Sequence, residues 1–339
     1  MSSPTTIFLT GATGYIGGSI LNRFLERPDA ASFKITALVR SPEKAVKLQA
    51  LGVNAVVGSH GQLDLVEELA SQSEYAITTA DVDDLPAAEA TLKGLKKRYE
   101  ATGKVPYYIH TSGTGVLADN AEGEYAGDVV YDDSNADQIA SLAPTQVHRP
   151  VDIAVTKADT DGYVKTYIIL PSTIYGIAGG KLVEEGIQNP HSIQVPAIIR
   201  ASAARGAGGT VGKGVNLWPN VDIDELTDLY HILFDAIRAN PEAAPHGKEG
   251  YYFGASGEHS LYDVGKAIGQ ALVDAGKATS AEPTIFNDDE IKEFFQGSRY
   301  LGSNSRCVAN RSKSLGWNPK KSTADLLASI SAEVKALVK

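Results

Sequence analysis

An apolar strand running straight into regularly spaced glycines is the feature that most limits what this chain can fold into. Ile7-Phe8-Leu9 leads into Thr10-Gly11-Ala12-Thr13-Gly14-Tyr15-Ile16-Gly17. The spacing G-x-x-G-x-x-G predicts a tight strand-to-helix turn. Gly11 lets the chain turn sharply, Gly14 removes a side chain where a pyrophosphate would approach, and Gly17 lets the helix pack close to the strand. A pyrophosphate would then rest on the free N–H groups of the helix N-terminus. The plain alternative is a glycine-rich turn with no ligand.

The pattern after this turn alternates. Strands are predicted at 6–9, 33–39, 54–57, 75–79, 107–111 and 166–170. Helices are predicted at 19–25, 42–51, 63–70 and 87–99, with Ser41 capping the second and Pro42 at its first position. This alternation predicts an α/β fold: a Rossmann-type doubly wound parallel sheet with a smaller C-terminal substrate lobe. The expected division is a dinucleotide-binding domain over 1–175, with 215–240 returning to it, and a mainly substrate-side lobe over 176–339. Helices are expected there at 230–239, 261–275 and 324–338. The acidic stretch from Asp119 to Asp137 reads as a loop with a solvated face, or as a flap. Gly206 to Gly214 reads as a mobile loop over the substrate lobe, because it fails the phosphate-loop pattern at Ala207 and Gly214.

The formal net charge of -10 argues against nucleic acid and anionic membrane surfaces as partners. A lone cysteine, Cys307, rules out an internal disulfide and fits a reducing, cytoplasmic setting. No positively charged leader precedes the first apolar stretch, and no apolar run is long enough to span a bilayer. The seven histidines show no zinc-type spacing, so no metal is expected.

The end of the second strand bears on the cofactor. A binder of NAD(H) usually carries Asp or Glu there for the ribose hydroxyls, yet no acidic residue lies between Asp29 and Glu43. Arg40, with Lys44 one turn on, could instead hold a 2′-phosphate, which favours NADP(H) over NAD(H).

These residues, with four later motifs, resemble the atypical and extended short-chain dehydrogenase/reductases, which include the epimerase/dehydratase-like and NmrA-like proteins. Thr10 to Gly17 is similar to their TGxxGxxG, and Leu38 to Lys44 to the second-strand ending of NmrA-like members. Leu170 to Gly176, Val221 to Leu226 and Leu315 to Pro319 are similar to three further segments, in the family's order. The resemblance implies that Gly11, Thr13, Gly14, Tyr15, Ile16 and Gly17 line the pyrophosphate and ribose. It places Arg40 by the adenosine phosphate and Thr79, Ala80 and Asp81 on the adenosine side. Pro171, Ser172, Thr173 and Ile174 would lie beside the nicotinamide.

The family's usual catalytic unit, Tyr-x-x-x-Lys with a preceding Ser or Thr, is missing where it belongs. The one Tyr-x-x-x-Lys match, Tyr262 to Lys266, falls on a late helix. At the expected place stand His148 and Asp152, with Pro150 between them disfavouring a continuous helix unless it sits in the first turn. Histidine ordinarily titrates near neutrality, and an Asp one turn away could orient it. Ser112 and Thr114, beside Thr111 at the end of strand five, are the candidate oxyanion-side hydroxyls. Tyr175 is a second candidate acid, with pocket lining as its plainer role. His110 is read as a packed histidine.

Three readings follow. The first is an NADP(H)-dependent reductase acting on a small carbonyl, enone or imine. The second is a redox-neutral isomerase or cyclase holding NADP as a scaffold. The third is a non-enzymatic NADP-sensing protein. The substrate would be a small molecule. Oligomeric state is open, with a dimer as the family's frequent arrangement.

Overall fold

The computed structural model describes residues 3–338. The chain order is β1 (Thr5–Thr10), α1 (Tyr15–Glu26), β2 (Phe33–Val39), α2 (Pro42–Ala50), β3 (Asn54–Val57), α3 (Leu63–Ser71), β4 (Tyr75–Thr78), α4 (Leu85–Thr102) and β5 (Tyr107–Thr111). It continues with α5 (Arg149–Thr160), β6 (Lys165–Pro171), β7 (Thr173–Tyr175), α6 (Gln194–Arg205), β8 (Leu217–Asp222) and α7 (Ile223–Ala239). Then come β9 (Tyr251–Gly254), β10 (Gly257–Ser260), α8 (Leu261–Asp274) and α9 (Thr323–Leu337).

The seven-stranded sheet has the order β9-β6-β5-β4-β1-β2-β3, and every neighbouring pair is parallel. The strand order reverses between β1 and β4, so the crevice over their C-terminal ends is the switch point at which such sheets take ligands. The strands are apolar because both faces are covered: Phe8, Leu9, Ala37, Ala76, Ile77, Ile109, Ile168 and Ile169 are all buried. Helix α1 packs on α7, while α3, α4 and α5 form a second packed set. Phe24 on α1 meets Phe234 edge-to-face at 5.1 Å.

A second apolar core gathers Val195, Ile198 and Ile199 of α6, Leu261, Val264 and Ile268 of α8, and Leu326, Ile330 and Val334 of α9. A three-stranded sheet, β10-β8-β7, lies in this part of the chain. The two parts interleave. After leaving for the second core, the chain returns α7, β9 and Trp317 to the first.

Two local expectations need correction, and the condition set on Pro150 is met. Pro150 does sit in the first turn, so α5 runs unbroken from Arg149. The acidic stretch is not simply solvated. Asp133 is fully buried and accepts from Phe253 N, Arg311 N and the Ser312 hydroxyl at 3.0, 2.6 and 3.1 Å. Asp119 likewise accepts from Asn304 N, so this segment is stapled to residues 304–312 rather than held as a flap. Gly208 to Gly212 is buried and pairs as a short strand with Thr284–Ile285, so it is a packed connection, not a mobile loop. Among the described residues no helix is long and apolar enough to cross a membrane.

Candidate functional site

The glycine turn is built as a crevice floor. Gly11 has φ +75°, a left-handed conformation that costs a side-chain-bearing residue but not glycine. A Cβ on Gly17 would collide with the Gly11 carbonyl and the Thr79 hydroxyl, so α1 can approach β1 and β4 this closely only without one. The Thr79 hydroxyl donates to Thr10 O at 2.9 Å and ties the two strand ends together. Gly14 caps α1 with no side-chain hydrogen bond, and the first turn holds no acidic residue. The N–H groups of Tyr15, Ile16 and Gly17 therefore have no intrahelical acceptor. A Cβ on Gly14 would meet only the Gly11 carbonyl, at 3.1 Å, so the space above it is open. Thr13 is held from the other side by Asn189, whose N–H donates to its carbonyl at 3.0 Å. The Tyr15 hydroxyl donates to Gly176 O at 2.5 Å.

Around this floor, Arg40 is exposed at the end of β2 and, among the described residues, enters no hydrogen bond or ion pair. Lys44 is half-buried on the next turn. Ala80 N donates to the Thr10 hydroxyl at 3.4 Å, and Asp81 accepts from Asp83 N at 3.2 Å. On the far side, Ser172 is buried with its hydroxyl on Gly254 O at 2.7 Å. Thr173 donates to Gln194 at 3.0 Å, Pro171 is buried and Ile174 half-buried.

Beyond β5 and β6 opens a cavity of about 390 Å³ lined by Gly113, Gly115, His148, Pro171, Trp218 and Tyr300, with apolar side chains from α6 and from residues 295–301. That volume lies in the range of small-molecule sites, about 300–1,000 Å³. His148 stands at its edge. A Cβ on Gly113 would lie 3.0 Å from His148 Nε2, and one on Gly115 3.1 Å from it, so the two glycines leave the ring room over the end of β5. The other ring nitrogen, Nδ1, sits 2.7 Å from Asp83 Oδ1. His148 itself has φ +68°, an uncommon backbone state for a non-glycine residue and one that gathers at functional sites. That left-handed residue begins α5 and sets the direction in which the imidazole leaves the backbone.

Asp83 was not expected here. It lies 65 residues from His148 in sequence, in the turn that caps α4 through Asp84. No local pattern links the two. Asp152, expected to orient His148, does something else. It is fully buried, neither carboxylate oxygen has a hydrogen-bond partner, and its neighbours are Ser112 and Arg149. Burial pushes its pKa up to about 7, with Ser112 and Arg149 pulling it back. It is therefore a buried carboxyl, one turn along α5 from His148, that holds its proton far more tightly than an ordinary aspartate.

The remaining candidates separate. Ser112 and Thr114 are buried with unpartnered hydroxyl oxygens, and the cavity wall at this point is Gly113 and Gly115. Thr111 is hydrogen-bonded to Tyr230 at 2.7 Å. Tyr175 is buried in the second core and donates to Ser322 O at 3.2 Å; it is not among the cavity-lining residues. His110 is buried, and burial lowers its pKa to about 3, so it stays neutral. Tyr262 and Lys266 form a surface group with Glu282. Among the described residues no group of three potential metal ligands occurs.

The glycine-floored crevice, the switch point and the parallel seven-stranded sheet define a Rossmann-type fold with an appended second core. The NmrA-like family model matches residues 3–112. Over 92% of both chains, the sequence is 28% identical to the oxidase ucsJ of an Acremonium species. It is 29% identical to a 4-hydroxy-2-methyl-3-oxo-4-farnesyl-3,4-dihydroquinoline-1-oxide ketoreductase of Stigmatella aurantiaca, over 33% of this chain and 34% of that one. The fold is similar to the UDP-glucose 4-epimerase of Thermus thermophilus in complex with NAD, with TM-score 0.62, 17% identity and coverage of 98% and 100%. The first third of the chain is therefore similar to the NmrA-like family, and the whole chain shares the fold of the epimerase.

Proposed function

We propose that this protein is an NADP(H)-dependent oxidoreductase that reduces the carbonyl group, or the related enone or imine, of a small organic molecule. One observation carries the reading: His148, held by Asp83 at Nδ1, stands on the lining of the apolar cavity with its second ring nitrogen beside Gly113 and Gly115 at the end of β5. The oxidase and ketoreductase names of two relatives support redox chemistry.

The residues present fit a dinucleotide. The uncapped first turn of α1 offers backbone donors and the positive end of its helix to a pyrophosphate. Arg40 is free to pair a 2′-phosphate, while residues 171–174 flank the nicotinamide end. Bound there, the cofactor supplies or accepts hydride. The chain's own work is positioning and proton transfer. Asp83 accepts from Nδ1 and leaves Nε2 to donate a proton to, or accept one from, the substrate oxygen. Pro171, Gly113 and Gly115 form a smooth wall against which the reacting carbon can lie, and the apolar lining excludes water.

The test is direct. NADPH should bind with a fluorescence change, and a neutral aldehyde or ketone panel should cause its oxidation. His148→Ala should lower turnover by about 10²-fold or more while NADPH affinity is nearly unchanged. Wild-type turnover in that variant would remove the histidine from the reaction. Product formation with no change in cofactor redox state would favour a redox-neutral isomerase.

A further inference from the structure

The cavity in front of His148 differs in character from a nucleotide-sugar site. Apart from His148, none of its lining residues carries an ionisable acid or base other than the phenol of Tyr300. Of the neighbouring cations, Arg299 is ion-paired with Asp288 and Glu122, Arg205 with Glu290, its guanidinium lying over the Phe286 ring, and Arg200 is exposed outside the lining. The walls are apolar. Trp218 has spent its indole N–H on Ser303 O at 2.6 Å, and it meets the Tyr300 ring edge-to-face at 5.4 Å. At the mouth, Ile193 is 85% and Tyr300 40% exposed, apolar surface that a bound molecule would cover. The uncharged polar side chains on the lining are Gln194, Gln296 and Ser298, besides the Tyr300 phenol. The oxygen of the Gln194 amide is taken by Thr173, so its NH₂ remains a free donor on the lining.

We propose that this cavity takes a neutral, largely apolar carbonyl compound of aromatic or polycyclic character, and that it rejects nucleotide-linked and other anionic substrates. This rests on the oxidoreductase reading for the identity of the reacting group. The specificity itself comes from the wall. A phosphate or carboxylate placed here would lose its hydration with no lysine or arginine on the lining to replace it, a large cost for a buried charge. A flat apolar molecule gains burial against Trp218, Tyr300 and Ile193, while Gln194 holds a second oxygen.

Calorimetry on the full chain with saturating NADP⁺ tests it, because it reads binding and not turnover. The probes are 2-acetylnaphthalene, its anionic relative 6-acetyl-2-naphthoate, and UDP-glucose. The expected result is measurable binding of the ketone, with the naphthoate at least about tenfold weaker and UDP-glucose not bound. Ala197→Arg, which brings a guanidinium onto the lining, should narrow or reverse the preference between ketone and naphthoate. Equal or tighter binding of the naphthoate or UDP-glucose by the unaltered protein overturns the proposal, as does failure of all three probes to bind. Ketone binding without NADPH oxidation supports the proposed pocket while counting against hydride transfer. NADPH oxidation confined to anionic substrates does the reverse.

Discussion

Replacing Asp152 by Asn keeps the shape of the side chain and removes its charge, so the change isolates what burial does to this carboxyl. The folded protein holds its pKa up at about 7, against an ordinary 3.8. Below pH 4 both folded and unfolded chains carry the proton, and the group contributes nothing to the pH dependence. Between pH 4 and 7 the folded chain keeps a proton that the unfolded chain has released, so stability from this group falls as pH rises. Each pH unit in that window is worth about 1.4 kcal/mol, giving about 4 kcal/mol in full and about 3 kcal/mol between pH 5 and 8.

The whole protein's profile will not display this directly. Burial lowers His110 to about 3 and His231 and His259 to about 4. Folded histidines with depressed pKa values make stability rise with pH up to about 6.5, opposing Asp152. The difference between variant and wild type cancels them. Urea unfolding at pH 5, 6, 7 and 8, at constant ionic strength, should show the advantage of Asp152→Asn over wild type growing by about 3 kcal/mol from pH 5 to pH 8, a change in midpoint difference on the order of 1 M urea. A difference that stays constant across the four pH values would refute the neutral-acid assignment and place an ionised Asp152 against Arg149 instead.

Other outcomes follow from the same geometry. Asp83→Asn should lower turnover by about tenfold and displace its pH profile with cofactor affinity kept, since it loosens His148 without removing it; an unchanged pH profile would detach Asp83 from the reaction. Arg40→Glu should weaken NADPH by about tenfold or more and leave NADH little affected, as fluorescence titration would show; an equal loss for both would deny Arg40 a phosphate contact. Asp133→Ala leaves Phe253 N, Arg311 N and Ser312 N buried without their acceptor. It should cost about 3 kcal/mol or more in thermal or urea unfolding, and a loss below about 1 kcal/mol would show that water replaces the carboxylate.

The first half of the fold was legible because each element carries its own signal. Phe33–Val39, Asn54–Val57 and Tyr107–Thr111 form as the apolar runs predict, and Ser41 accepts from Lys44 N as a cap should. The second half was hidden where packing overrides local preference. Helix α6 carries Pro196 in its first turn and β8 carries Pro219, and both are buried by tertiary contact. The acidic stretch looked solvated because nothing local to Asp133 shows that residues 311–312 return to bond it. At the site, His148 stood out by its place in the chain. Its partner did not, since Asp83 belongs to the β4–α4 turn and meets the histidine only when the sheet is assembled.

The two departures from the Tyr-x-x-x-Lys unit of the short-chain dehydrogenase/reductases that the chain resembles explain one another. That unit needs a cation one turn from the tyrosine to favour the phenolate. Here the corresponding place holds a buried carboxyl, Asp152, which stays neutral or becomes negative and can do neither task of a lysine. A phenol in this corner is driven the other way, as Tyr300 shows: burial and then the nearby Asp83 both raise its pKa. Tyr300 can donate a hydrogen bond to a ligand but is a poor proton acceptor. An imidazole, by contrast, exchanges protons near neutrality without help from a cation, and a carboxylate on its far nitrogen fixes which nitrogen faces the cavity. Losing the lysine therefore disfavours tyrosine and favours a histidine–aspartate pair, the arrangement that His148 and Asp83 form. Restoring only one member, as in His148→Tyr, should yield a protein that binds NADPH yet turns over more slowly than His148→Gln. Faster turnover in the tyrosine variant would break the link between the two substitutions.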